Sequence, residues 1–147
     1  MNLTTKVIIS AFAKLGEVMS SIGQGSTWPG FEIGITENEY DELQESIVSL
    51  KHRNQWFTED FVRKSFASWS DLLTEKKLES WVANYEFGTK LHKVATIMAG
   101  NIPLVGFHDL LSVVISGNIA KVKMSSDDNV LLPRLLEILF HHCPGLK

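Results

Sequence analysis

Over residues 1–92 the apolar positions keep helical spacing. Val7, Ile8, Phe12, Leu15, Met19 and Ile22 lie on one face of a first helix, with Thr4 or Thr5 placed to cap it and Gly23 to end it. Gln24 to Ile35 is rich in Gly, Ser and Pro and reads as a loop, with Trp28 and Phe31 as candidate anchors. Thr36-Glu37-Asn38-Glu39 has the form of a capping box, a threonine oxygen taking the N3 amide while the glutamate reaches back. Tyr40, Leu43, Ile47 and Leu50 mark one face of a second helix, closed by His52-Arg53-Asn54, whose positive charge suits a helix C-terminus. Thr58, with Glu59 and Asp60, opens a third helix whose expected buried face is Phe61, Val62, Phe66, Trp69, Leu72 and Leu73. Thr74 opens a fourth, carrying Leu78, Trp81, Val82 and Tyr85 and ended by Gly88. Trp56, Trp69 and Trp81 fall in phase with Leu, Val and Phe, which predicts core packing rather than a stacking platform.

From Lys93 the rhythm changes. A short apolar run, Val94 to Met98, ends at the breaker pair Gly100–Asn101. Pro103 then opens a segment apolar on nearly every side (Leu104, Val105, Phe107, Leu110, Leu111, Val113, Val114, Ile115), and Gly117–Asn118 stops it. A second short run, Ile119 to Met124, follows. Strand, helix, strand is the economical reading, and the span Lys93–Ser126 suits the roughly 30 or more residues of a βαβ unit. Pro fits a first helical position and Gly the residue past a helix end. A helix apolar all round has to be buried, here against the sheet its strands begin. Ser125-Ser126-Asp127-Asp128 offers N-caps for a last helix bearing Val130, Leu131, Leu132, Leu135, Leu136, Ile138, Leu139 and Phe140. Pro133 either marks its start or kinks an early turn.

This pattern predicts an α/β chain: a helical N-terminal region over residues 1–92, then a βαβα unit over 93–147 that begins a larger parallel-sheet α/β domain. Two parallel strands make a poor sheet alone, because parallel sheets are normally covered on both faces. The expectation is one incomplete domain, continuing beyond Lys147.

Composition narrows the function classes. At 147 residues, 44% hydrophobic and 21% charged, the chain has the makeup of a globular domain with a real core. A net charge of −3 without a basic cluster gives no electrostatic reason to expect nucleic acid. No run approaches the ~20 apolar residues of a bilayer span. Lys14 and Glu17 interrupt the apolar N-terminus, which reads as an amphipathic helix rather than a signal peptide. The single cysteine, Cys143, excludes an internal disulfide framework and fits a reducing compartment, so a cytoplasmic location is expected.

In open α/β sheets ligands sit beyond the carboxyl ends of the strands. Those positions are Gly100-Asn101-Ile102-Pro103 and Lys123-Met124-Ser125-Ser126. Asn101 is a neutral donor at a strand-to-helix turn, suited to an oxyanion or phosphate. Lys123, Ser125 and Ser126 offer a charge and hydroxyls to a ribose or phosphate. The bland alternative is that Asn101 caps the helix and Lys123 ends a strand. Gly23, Gly25 and Gly30 lack dinucleotide-fingerprint spacing, and no strand leads into them, so an ordinary loop is expected there. His141-His142-Cys143 has neither metal-ligand spacing nor the makings of a dyad, since adjacent helix residues point in different directions. A structural role is expected for these three, and a helix-surface position for His108-Asp109.

The segment MAGNIPLVGFHDLLSVVISGNIAKVKMSS strongly resembles the acyl-CoA reductase family related to the fatty-acid reductase of bacterial luminescence, within the aldehyde dehydrogenase superfamily. Gly100-Asn101-Ile102-Pro103 is similar to the superfamily's Trp-Asn-Phe-Pro turn. Gly117-Asn118 and the strand ending Lys123-Met124-Ser125-Ser126 resemble its Gly-Asn…Lys-Pro-Ser-Glu segment. The resemblance implies a nicotinamide-nucleotide domain and a reaction in which a cysteine takes the acyl group from an acyl-CoA or other acyl thioester and hydride releases it as an aldehyde. It implies Asn101 as the oxyanion donor, Lys123 as the adenosine-ribose ligand, and Gly100, Ile102, Pro103, Ser125 and Ser126 as the rest of the cofactor-binding set. Ser126 replaces a glutamate that would repel a 2′-phosphate, so NADPH is the expected cofactor and NADH the alternative. The family's nucleophile lies further along than Cys143, so the acyl-accepting cysteine is expected in the remainder of the reductase chain or in a partner polypeptide. The 147 residues alone are expected to be inactive, and a homo-oligomer stays open. The competing reading is a non-catalytic helical interaction module that keeps the motif as scaffold.

Overall fold

The computed structural model describes residues 3–147. Helices α1 (Thr5–Gly23), α2 (Glu37–Ser49), α3 (Glu59–Leu72) and α4 (Glu75–Val82) precede strand β1 (Lys93–Ile97), helix α5 (Phe107–Ile115), strand β2 (Ile119–Lys123) and helix α6 (Leu131–His142). Short 3-10 turns follow α2 and α6 and interrupt the loop at Phe31–Ile33. The chain is mixed α/β, with a two-stranded parallel sheet.

The core is built on α1, whose Phe12, Leu15, Val18, Met19 and Ile22 are fully buried. Each such burial contributes roughly 1.5–3 kcal/mol relative to exposure. This helix packs along α3 and also touches α4, α5 and α6, so a single core joins the helical region to the βαβ unit. The α1–α3 approach depends on two glycines. A Cβ on Gly16 would lie 2.5 Å from the Leu73 carbonyl oxygen, and one on Gly23 would lie 2.8 Å from the Ala67 nitrogen.

Start signals were the most legible. Thr4, Thr36, Thr58 and Thr74 each cap a helix with the side-chain oxygen, and Thr36–Glu39 forms the full capping box. Three expectations about helix ends and faces are corrected. The fourth helix stops at Val82 rather than Gly88, because the next large side chains, Tyr85 and Phe87, find no core and stack on each other in solvent. On α3 the buried stripe is the narrower Val62–Phe66 line continued by Leu73, which leaves the flanking Phe61 and Leu72 exposed. Trp69 and Trp81 are half-buried against the core, but Trp56 stands out at 82% exposure.

The strands pair in parallel from Lys93↔Ile119 to Ile97↔Lys123, with α5 as the crossover. Their side chains alternate with period two. Val94, Thr96, Ala120 and Val122 are half-buried on the core side. Lys93, Ala95, Ile97, Ile119, Lys121 and Lys123 lie on the other face, which no element among the described residues covers. Ile97 there is 79% exposed.

The crossover helix starts at Phe107, four residues later than its sequence start at Pro103. Leu104 stops it from starting earlier. This buried leucine has a left-handed backbone (φ 61°), which helical residues do not adopt, and residues 101–106 form turns instead. The last helix starts at Leu131 with Val130 at the N-cap and no side-chain cap, so Ser125–Asp128 do not cap it. Pro133 is its third residue, where the N–H has no helical partner to lose.

Candidate functional site

The parallel register puts the ends of both strands side by side. The Met98 N–H donates to the Lys123 carbonyl at 2.9 Å, extending the ladder one step past Ile97. Beyond it the two turns pack directly on each other. A Cβ on Gly100 would overlap the Ser125 side chain and approach the Asp127 Cβ to 3.2 Å, so glycine is what lets the turns touch. Ser125 Oγ accepts the Asp127 N–H (3.2 Å), Ser126 Oγ donates to Asp127 Oδ1 (3.5 Å), and Ser125 bridges to Asp128.

Asp128 completes the junction. Its Oδ2 accepts the Leu104 N–H at 2.8 Å, tying the turn after β2 to the turn after β1. The residue is 8% exposed and its Oδ1 is buried without a hydrogen-bond partner among the described residues. Burial pushes its pKa above the ordinary carboxylate value, and the Leu104 hydrogen bond offsets part of that rise.

The sequence-predicted residues therefore lie on and beside two touching turns, a ledge at the carboxyl end of the sheet, with Ile102 and Pro103 turned to a separate groove. Asn101 is exposed and six residues short of the helix, so it does not cap α5; Gly106 holds that position. Its side-chain amide makes no hydrogen bond among the described residues. Lys123 is exposed, with no ion pair among the described residues. Ile102 is exposed and Pro103 buried, both on a second groove of about 380 Å³ that they share with Phe61, Trp69, Leu72 and Leu104. The donor set suits an anionic, hydroxyl-bearing ligand: an amide and an ammonium without partners among the described residues, beside a Ser126 hydroxyl whose proton is shared with Asp127.

A larger open groove, about 560 Å³, runs along the ledge between Gly100, Asn101 and Asp127 on one side and the Arg53–Trp56 loop on the other. Sequence reading missed this opposite wall. Arg53 does close the helical segment, as the C-cap of the turn that follows α2, but it also lines this groove, and Trp56, expected in the core, stands in solvent beside it.

The remaining candidates lie elsewhere. Cys143 is 4% exposed at the end of α6, packed in the core. His141 Nδ1 pairs with Glu39 Oε1 at 3.0 Å. The His142 ring lies against Gly34, whose positive φ (79°) and missing Cβ make the space. His108 is exposed on α5, near the rings of Trp69 (6.5 Å) and Trp81 (6.0 Å). Among the described residues no group of three His, Cys, Asp or Glu side chains is arranged to hold a metal.

A family model described as Acyl-CoA reductase (LuxC) matches residues 36–145, three-quarters of the chain. The chain belongs to the LuxC acyl-CoA reductase family. The LuxC match takes in both strand-end turns, the Arg53–Trp56 loop and the βαβ unit, and leaves α1 outside. No curated protein and no solved structure matches the chain. No helix among the described residues is long and apolar enough to cross a membrane.

Proposed function

We propose that these residues are the cofactor-side half of an aldehyde-dehydrogenase-like reductase that converts an acyl-CoA to an aldehyde through a cysteine-bound acyl group. The observation that carries this reading is the ledge itself. Within the segment that matches the LuxC family, Asn101 lies on the turn after β1 and Lys123 at the end of the neighbouring β2, and neither side chain has a polar partner among the described residues. NADPH supplies the hydride when bound. Lys123 and Ser126 hold its phosphorylated ribose, with Gly100, Ile102, Pro103 and Ser125 shaping the turns around it. Asn101 donates its amide N–H to the oxygen that gains charge as the thioester carbonyl becomes tetrahedral. A preorganised donor of this kind contributes more to the transition state than to the ground state.

Cys143 is not the acyl acceptor. An attacking thiolate must be reachable and activated, and this thiol is packed in the core. The nucleophile therefore comes from the remainder of the reductase or from a partner polypeptide. Two considerations bear on the cofactor. Ser126 stands where the superfamily's carboxylate would repel a 2′-phosphate, which favours NADPH. The exposed Asp127 beside it pulls toward NADH.

Two measurements test the reading. With the cysteine-bearing part present, acyl-CoA-dependent NADPH oxidation should fall about 10²- to 10³-fold in kcat for Asn101→Ala; an unchanged kcat contradicts the role. Intact-mass analysis after acyl-CoA treatment should show no acyl group on Cys143, and an adduct there would refute the placement of the nucleophile.

A further inference from the structure

Trp56 is the most exposed tryptophan on a molecule that buries or half-buries the other three. An indole carries a large apolar surface, so leaving it in water forgoes burial that the adjacent Phe57, fully buried, obtains. The loop is nonetheless fixed. Leu50 and Phe57 anchor its ends in the core. The Asn54 N–H donates to the Leu50 carbonyl at 2.9 Å, the Trp56 N–H donates to Asn54 Oδ1 at 3.0 Å, and the Phe57 N–H donates to the Asn54 carbonyl at 2.9 Å. These bonds hold the indole outward over the groove that ends at Asn101. Arg53 lines the same wall without an ion pair among the described residues, whereas Arg63 and Arg134 each pair with a glutamate. The groove thus presents a flat aromatic face, an uncompensated guanidinium and, across from them, the Asn101 amide and the Asp127 carboxylate.

We propose that Arg53 and Trp56 bind the adenosine-phosphate portion of a ligand of the proposed reductase, the indole stacking on the adenine and the guanidinium holding a phosphate. Aromatic side chains stack on bases through their π-faces. Guanidinium matches phosphate with paired, charge-assisted hydrogen bonds. Asp127 sharpens the orientation: across the groove from Arg53, its carboxylate accepts from a ribose hydroxyl. The inference rests on the reductase reading, and both adenosine phosphates of that reaction, the nicotinamide cofactor and coenzyme A, carry this chemistry.

The experiment titrates the protein separately with NADP⁺ and with CoA, following tryptophan fluorescence and equilibrium dialysis in wild type, Trp56→Ala and Arg53→Gln. Both side chains lie outside the core, and circular dichroism checks that the fold persists. The expected result is saturable quenching by one of the two ligands, with affinity reduced about tenfold or more in each variant. The ligand that loses affinity identifies the source, the cofactor if NADP⁺ and the substrate if CoA. Wild-type binding that neither variant weakens overturns this inference and leaves the reductase reading intact. Failure of the wild type to bind either ligand overturns both.

Discussion

Asp128 shows how one side chain can organise two turns. Its buried carboxylate takes the N–H of Leu104, a residue whose left-handed backbone costs roughly 1–2 kcal/mol. Removing the acceptor strands that donor, so Asp128→Ala should destabilise the fold by about 1–3 kcal/mol in urea unfolding. Asp128→Asn keeps an oxygen in place without a buried charge, and should cost much less. Burial holds the Asp128 pKa above its unfolded value, so the native state binds the extra proton between the two values. Stability from this group therefore falls as pH rises through that window, and the Asn variant should lack the slope.

His142 has the opposite sign. Burial in the first place, then the positive Lys14 and His141, hold its pKa below the ordinary histidine value. Its Nε2 is buried without a hydrogen-bond partner among the described residues. The unfolded chain thus binds more protons than the native state between the lowered value and about 6.5. Stability present above that window is lost as pH falls through it. Thermal unfolding followed by circular dichroism should show the loss, and His142→Phe, which keeps a flat ring against Gly34, should flatten it. Glu39 titrates lower: burial raises its pKa, but the two Thr36 hydrogen bonds and His141 outweigh that and bring it below the ordinary value. Its contribution is present above about 4.5 and lost only as pH falls further.

At the scale of elements, legibility followed the locality of the cause. Capping is written within four residues, so Thr36-Glu37-Asn38-Glu39 announced α2 correctly. Thr36→Ala should cost about 0.5–2 kcal/mol, read from the shift in urea midpoint at unchanged slope. Strand positions and the parallel crossover were legible for the same reason, through short apolar runs between Gly–Asn breakers. The late start of α5 was not, because it depends on Leu104 meeting Asp128, twenty-four positions away. The early end of α4 depends on Tyr85 and Phe87 finding no core, and a helical period cannot report what lies opposite. Gly16 reads as an interruption in an apolar helix, yet it is where Leu73 fits. Gly16→Ala should therefore destabilise the protein, although alanine is the better helix former, with a lowered Tm as the readout.

For the whole molecule, the strands bring together what the sequence keeps apart. Gly100 and Ser125 were each legible as strand-end positions, but their direct packing appears only once β1 and β2 pair in register. The groove's other wall was illegible because Arg53 and Trp56 belong to a helix-to-helix loop whose local pattern says nothing about the sheet. The result is a polar ledge on an otherwise helical body, with an uncovered sheet face beside it that carries Lys121, Lys123 and Ile97. The claim that this ledge receives a nicotinamide nucleotide is tested most directly by hydrogen exchange with and without NADPH. The account predicts slowed exchange in both strand-end turns, residues 98–104 and 123–128, and loss of that protection in Lys123→Ala. Protection confined to other segments, or unchanged in the Lys123 variant, would contradict it.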